Sequence, residues 1–144
     1  MTGVNELDRA IVDRLVAEAI AARDLAYVPY SRFAVGAAAL AADGRIFRGC
    51  NIENASYGLT VCAERTALFK AVSEGARELL AIAVVTGTRD VASPCGACRQ
   101  VMAELGPEMK VILANLDGSR LVTDVATLLP GAFDERRLRE GVSK

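Results

Sequence analysis

The sequence predicts a layered α/β domain in which a mixed β-sheet of about five strands is covered by helices. Three observations carry this reading: an amphipathic stretch near the N-terminus, short apolar runs paired across Asp-Gly turn signals, and two helical patterns set between strands. At 144 residues the chain is long enough for one hydrophobic core and too short for two domains of typical size. Residues 1–144 are therefore expected to form a single domain, with no internal repeat, linker or low-complexity segment.

Leu7, Ile11 and Leu15 recur every four residues, with Val4, Ala19 and Ile20 near the same stripe and Glu6, Asp13, Arg14 and Arg23 on the polar side. This predicts a helix over residues 4–25. Pro29 closes the pattern, because it lacks a backbone donor and pushes its predecessor out of helical space. Residues 33–41 form an almost continuous run of small apolar side chains and predict a buried strand, returned by Asp43-Gly44 into an antiparallel partner over 45–49. Residues 51–60 lack periodicity and predict a loop. A helix is expected from Cys62 to near Gly75, a central strand over 79–85, and a turn at Thr86, Gly87 and Thr88. Ser93 and Pro94 open another helix that Gly106 and Pro107 close. Residues 110–114 and 120–123, joined by Asp117-Gly118, complete the strands.

Composition narrows the function. Seventeen basic residues against eighteen acidic ones leave a formal charge of −1, which argues against a broad cationic surface for nucleic acid or anionic membrane. No apolar run approaches the roughly 18 residues that a membrane-spanning helix needs. The opening residues lack a cationic segment before an apolar core, so a cytoplasmic location is expected. Histidine is absent, which removes mechanisms built on an imidazole base, and four cysteines in a reducing compartment point to metal binding or catalysis before disulfides.

Three of those cysteines stand at two predicted helix starts: Cys62 at one, Cys95 and Cys98 at the other. Unpaired backbone N–H groups and the helix dipole favour the thiolate there, which is the metal-binding form. The two-residue gap between Cys95 and Cys98 lets both sulfurs reach one tetrahedral zinc, and a third thiolate leaves one position open, as in catalytic zinc sites. A redox dithiol is the competing reading of the pair alone. Glu64, two residues after Cys62, can lie beside such a metal without ligating it and carry protons; alone it would read as a first-turn carboxylate favoured by the helix dipole. Cys62-Ala63-Glu64 followed by Pro94-Cys95-Gly96-Ala97-Cys98 has the arrangement found in zinc-dependent cytosine and adenine deaminases.

The chain resembles the small homotetrameric cytidine deaminases. The resemblance lies in segments 29–38 (Pro-Tyr-Ser-Arg-Phe-Ala-Val-Gly-Ala-Ala), 49–57 (Gly-Cys-Asn-Ile-Glu-Asn-Ala-Ser-Tyr), 62–67 (Cys-Ala-Glu-Arg-Thr-Ala), 94–100 (Pro-Cys-Gly-Ala-Cys-Arg-Gln) and 128–133 (Leu-Leu-Pro-Gly-Ala-Phe). It implies a three-layer fold, a homotetramer with one Zn²⁺ per subunit, and hydrolysis of cytidine and deoxycytidine to uridine and deoxyuridine with release of ammonia, a step of pyrimidine salvage. By position it implies that Cys62, Cys95 and Cys98 bind zinc and that Glu64 shuttles protons. It further implies that Asn51 and Glu53 hydrogen-bond the ribose, that Phe33 packs on the pyrimidine with Ala63 among the substrate contacts, and that Tyr57 and Phe133 approach a neighbouring subunit's site.

Physical counterparts exist for several of these roles. Asn51 and Glu53 are two apart and share a face if their segment is extended, which lets both reach one ribose; a purely structural loop role is the alternative. Phe33 and Phe133 would read as core, and Tyr57 as a packing residue, without the resemblance. Three thiolates around one divalent zinc leave excess negative charge, which Arg65 can offset through hydrogen bonds to ligand sulfurs. Arg99 is the weaker candidate for that task, against an ordinary solvated helix position. Cys50 reads as a small buried side chain, with a closed four-thiolate structural zinc as the alternative. Two other enzymatic readings stay open: a nucleic-acid-editing deaminase, which needs a basic channel, and a deaminase of a cytosine-bearing antibiotic such as blasticidin S.

Overall fold

The computed structural model describes residues 7–142. The first helix, α1 (Arg9–Arg23), starts where the Asp8 carboxylate accepts from the Ile11 backbone N–H at 2.8 Å. It is shorter than the predicted 4–25; residues 4–6 lie outside the described residues, and Asp24 caps the other end before Pro29 can act.

Five strands form one sheet: β1 (Val35–Ala41), β2 (Ile46–Cys50), β3 (Leu79–Thr86), β4 (Lys110–Asn115) and β5 (Arg120–Asp124), in spatial order β2-β1-β3-β4-β5. Only β3 and β4 run parallel; the other neighbours are antiparallel. The parallel pair needs a crossover, which is supplied by α3 (Gly96–Leu105). Both Asp-Gly turns form as predicted, with Gly44 at φ +95° and Gly118 at φ +98°, a region where a side chain would be strained. The first strand begins two residues later than predicted. The Asn51 amide takes both the Phe33 carbonyl and the Val35 N–H, so Phe33 and Ala34 stay out of the ladder.

Alternation along the strands sorts side chains between two faces. Ala38, Leu40, Ala81, Ala83, Val85, Ile112 and Ala114 pack with Leu15, Val16 and Ala19 of α1. On the opposite face Ala37, Ala39, Ile82, Val84, Val111 and Leu113 meet Ala67, Leu68 and Ala71 of α2 (Ala63–Ser73) and Met102 of α3. Helices therefore cover both faces, giving the three layers that were expected. The sequence reading left unassigned a 3-10 turn at Tyr57–Leu59, the short α4 (Val125–Leu128) and α5 (Glu135–Val142). Asp124 starts α4 by accepting from the Thr127 N–H, whereas α5 buries no residue against the sheet. Among the described residues no helix is long and apolar enough to cross a membrane.

Small residues let the helices approach the sheet closely. A Cβ on Gly36 would stand 2.0 Å from the Ala19 carbonyl oxygen of α1, and one on Gly49 would stand 2.4 Å from Ala67 N and 2.6 Å from Ala63 O of α2. Those atoms are backbone and cannot turn aside. Gly49→Ala should cost about 1–3 kcal/mol of stability by urea denaturation and weaken metal retention, because it pushes on the first turn of α2. Gly44→Ala, at a tip with nothing within 4 Å, should cost about 1–2 kcal/mol through its left-handed backbone while metal retention stays unchanged.

Candidate metal centre and active site

Two helix N-termini meet on one face of the sheet. Cys62 caps α2 and Cys95 caps α3, both in extended backbone conformation and neither spending its side chain on a capping hydrogen bond. Cys98 is buried in the first turn of α3. The three sulfurs lie within 4.8 Å of one another. Cys62 Sγ is 3.7 Å from Cys95 Sγ, which is 3.5 Å from Cys98 Sγ. A tetrahedral zinc with Zn–S bonds of about 2.3 Å sets neighbouring sulfurs about 3.8 Å apart, so this donor set fits zinc in both chemistry and spacing. Cys50 stands outside the group, its thiol directed at the Leu25 carbonyl 3.5 Å away, which counts against a closed four-thiolate site.

Hydrogen bonds and charge around Cys62 favour its thiolate. Hydrogen bonding from Cys98, assisted by Arg65 and Cys95, brings the Cys62 thiol down to about 5 against the opposing effect of burial. Cys98, as the donor to Cys62 and itself buried, is pushed up and ionises after it. Arg65 Nη2 donates to Cys62 Sγ at 3.5 Å, in the position expected of it. Arg65 Nε is buried without a hydrogen-bond partner among the described residues. Arg99 does not share this work: its guanidinium is spent on Pro94 O, Leu128 O and Ser93 Oγ, so it is neither a partner of the sulfurs nor a solvated helix residue. Glu64, one turn position inside α2, is only 5% exposed. Burial is the main cause that raises its carboxyl to about 7, with the negative Cys62 adding to it.

A cavity of about 200 Å³ opens beside these groups. Cys62, Ala63, Glu64 and Cys95 form one part of its wall, and Phe33, Val35 and Asn51 another. Thr60, Val84, Thr86, Ala92 and Ser93 complete it. The sequence reading names none of these five, nor Val35, as site residues. Thr86 carried a usable signal, since ligands in open α/β sheets collect at the carboxyl ends of strands, and Thr86 ends β3. Larger and shallower clefts of about 490 and 520 Å³ lie at the β2 edge and around Pro29. Neither contains the thiol group or Glu64, so the small cavity is the chemically equipped one.

Other predicted site residues are more dispersed. Asn51 and Glu53 both hydrogen-bond within segment 30–35, but only Asn51 lines the cavity. Asn51 Oδ1 accepts from Val35 N at 2.9 Å and its Nδ2 donates to Phe33 O at 2.7 Å. Glu53 accepts from the Tyr30 and Ser31 N–H groups at 3.0 and 3.1 Å and from the Ser31 hydroxyl, and lies outside the cavity wall. Tyr57, 76% exposed, meets Tyr30 edge-on with ring centroids 6.2 Å apart. Phe133 is 59% exposed and also outside the cavity.

Known proteins share both the sequence and the fold. The family model described as cytidine and deoxycytidylate deaminase zinc-binding region matches residues 10–114. The fold and site thus define a zinc-binding deaminase domain. A cytidine deaminase from Halalkalibacterium halodurans is 66% identical over 120 residues, covering 83% of this chain and 91% of its own. One from Sporosarcina psychrophila is 59% identical over 128 residues, covering 88% of this chain and 94% of its own. The crystal structure of cytidine deaminase from Burkholderia pseudomallei superposes with a TM-score of 0.82 at 56% identity, over 84% of this chain and 98% of that one. The chain belongs to the cytidine deaminase family, whose enzymes are hydrolases acting on C–N bonds.

Single Cys62→Ala, Cys95→Ala and Cys98→Ala substitutions should each reduce bound zinc to a small fraction by elemental analysis, because each opens a second coordination position. Cys50→Ser should retain it. Loss of zinc in Cys50→Ser would restore the closed-site reading.

Proposed function

We propose that this chain hydrolyses cytidine and deoxycytidine to uridine and deoxyuridine with release of ammonia. The observation that carries the proposal is Glu64: a carboxyl 5% exposed, in the wall of the same cavity as Cys62 and Cys95. Cys62, Cys95 and Cys98 would hold one Zn²⁺ per subunit, and when bound it supplies the Lewis acidity that makes water nucleophilic near neutral pH.

The protein's own side chains handle the protons and the base. Glu64 takes the two protons of the water in turn: the first goes to N3 of the cytosine, and the second, taken from the hydroxyl newly added at C4, goes to the departing amino group. The water oxygen bonds to C4, the C4–N4 bond breaks and ammonia leaves. Phe33 and Ala63 hold the base, a role supported by their presence in the cavity wall. Asn51 and Glu53 address the ribose, and Arg65 offsets thiolate charge. Tyr57 and Phe133 act on a neighbouring subunit's site in a homotetramer, a reading supported by their exposure on this chain. A single domain working in the cytoplasm, in pyrimidine salvage, agrees with four free cysteines and a formal charge of −1. That charge also favours a free nucleoside over a polyanionic nucleic acid.

Ammonia release on cytidine, deoxycytidine and blasticidin S, with zinc content measured on the same samples, tests the proposal. Turnover of neither nucleoside by zinc-loaded protein would overturn it. Glu64→Gln should lower kcat by about 10²–10⁴-fold while zinc stays bound. Arg65→Ala should lower kcat/KM by about 10–100-fold with a much smaller change in the urea midpoint; unchanged turnover at full zinc occupancy would remove Arg65 from the charge balance.

A further inference from the structure

Arg99 follows Cys98 directly, yet its side chain folds back past the start of α3 to reach two separate segments. Its Nε donates to Pro94 O at 2.8 Å and its Nη2 to Ser93 Oγ at 2.6 Å, both in the turn that delivers Cys95. Its Nη1 donates to Leu128 O at 2.7 Å, at the end of α4. The two carbonyls share a property. Pro94 precedes the cap of α3 and Leu128 is the last residue of α4, so no backbone N–H of either helix is due to them. A guanidinium is suited to serve them together, because its donors spread in a rigid plane, which a lysine ammonium cannot reproduce. Gln100, the next residue, adds a second tie: its Nε2 donates to Phe133 O at 2.8 Å. Consecutive residues of the cysteine-bearing helix thus hold both ends of segment 128–133.

We infer that Arg99 is a positioning residue that couples the Ser93–Pro94–Cys95 turn, with its cavity wall and thiol, to the C-terminal segment 128–133. Ser93 and Cys95 both line the cavity, so displacement of this turn alters the wall and one donor sulfur together. Through Arg99 the same displacement moves Leu128. Gln100 plays the narrower part, since its only tie in this network is to Phe133, and it leaves the Cys95 turn alone. The kinetic consequence of the coupling rests on the deaminase reading of the cavity; the coupling itself does not.

Hydrogen exchange by mass spectrometry on the full zinc-loaded chain tests the inference, with the rate of zinc removal by a chelator as a second readout. Arg99→Gln should speed exchange in both 92–98 and 128–133, and speed zinc removal by about 10–100-fold, the range found when a group supporting metal ligands is lost. Gln100→Leu should speed exchange in 128–133 and leave 92–98 and zinc removal as in the parent. Arg99→Lys keeps the charge but not the fork and should fall between Arg99→Gln and the parent; it also serves if Arg99→Gln does not fold. A lowered melting temperature with exchange in 92–98 and zinc removal unchanged would reduce Arg99 to a general structural role and overturn the inference. So would faster exchange confined to 128–133. Coupled exchange in a protein that deaminates neither nucleoside would support the coupling and overturn the deaminase reading, so the two failures are distinguishable.

Discussion

Cys62 and Cys95 are 33 residues apart in the chain, and their sulfurs meet only because α2 and α3 begin side by side on the same face of the sheet. Everything chemical in the molecule depends on that meeting. It is secured by close packing: Gly49 leaves room for the backbone of Ala63 and Ala67, and an alanine-rich β1 accepts helices on both faces. Larger side chains in the sheet would hold α2 further away and separate the sulfurs, because interiors at crystalline density have no slack to absorb added volume. The crossover from β3 through α3 to parallel β4 then brings Cys95 and Cys98 to the carboxyl end of β3, where Thr86 closes the cavity.

Concentrating three sulfurs and a carboxyl in one small volume is electrostatically costly, and the surrounding structure offsets it locally. Helix N-termini face the sulfurs, and Arg65 donates to Cys62. Glu64 receives no such compensation that outweighs its burial, so its carboxyl rises to about 7. A surface carboxylate at the same helix position would stay ionised and would have little use as a proton carrier. The divergence between Arg65, turned to a sulfur, and Arg99, turned to carbonyls, shows that proximity in sequence to a cysteine does not decide which charge serves it.

The aromatic side of the cavity is held by a different device. Asn51 and Glu53 fasten segment 30–35 from the stretch just after β2, and Arg32 within that segment takes φ +59°, an uncommon conformation for a residue with a side chain. Phe33 and Val35 are the residues of this segment that line the cavity. Polar side chains expected to serve a ligand therefore also build the wall that the ligand would meet.

Features set by spacing over a few residues were legible in the sequence. Cys62 with Glu64, Cys95 with Cys98, the Asp-Gly turns and the alternating strand runs all report local geometry that neighbouring residues impose on one another; they were enough to reach a layered α/β domain with cysteines at two helix starts, while the zinc reading rested on the likeness of that motif to the cytidine deaminases. What tertiary structure alone decided depends on which distant segments come together and exclude water. The parallel pairing of β3 with β4, the burial that raises Glu64, the position of Thr86 in the wall and the reach of Arg99 to Leu128 all fall in that class. Periodicity tells which face of an element is buried; it does not tell which partner buries it, and desolvation and side-chain hydrogen bonding are properties of the partner.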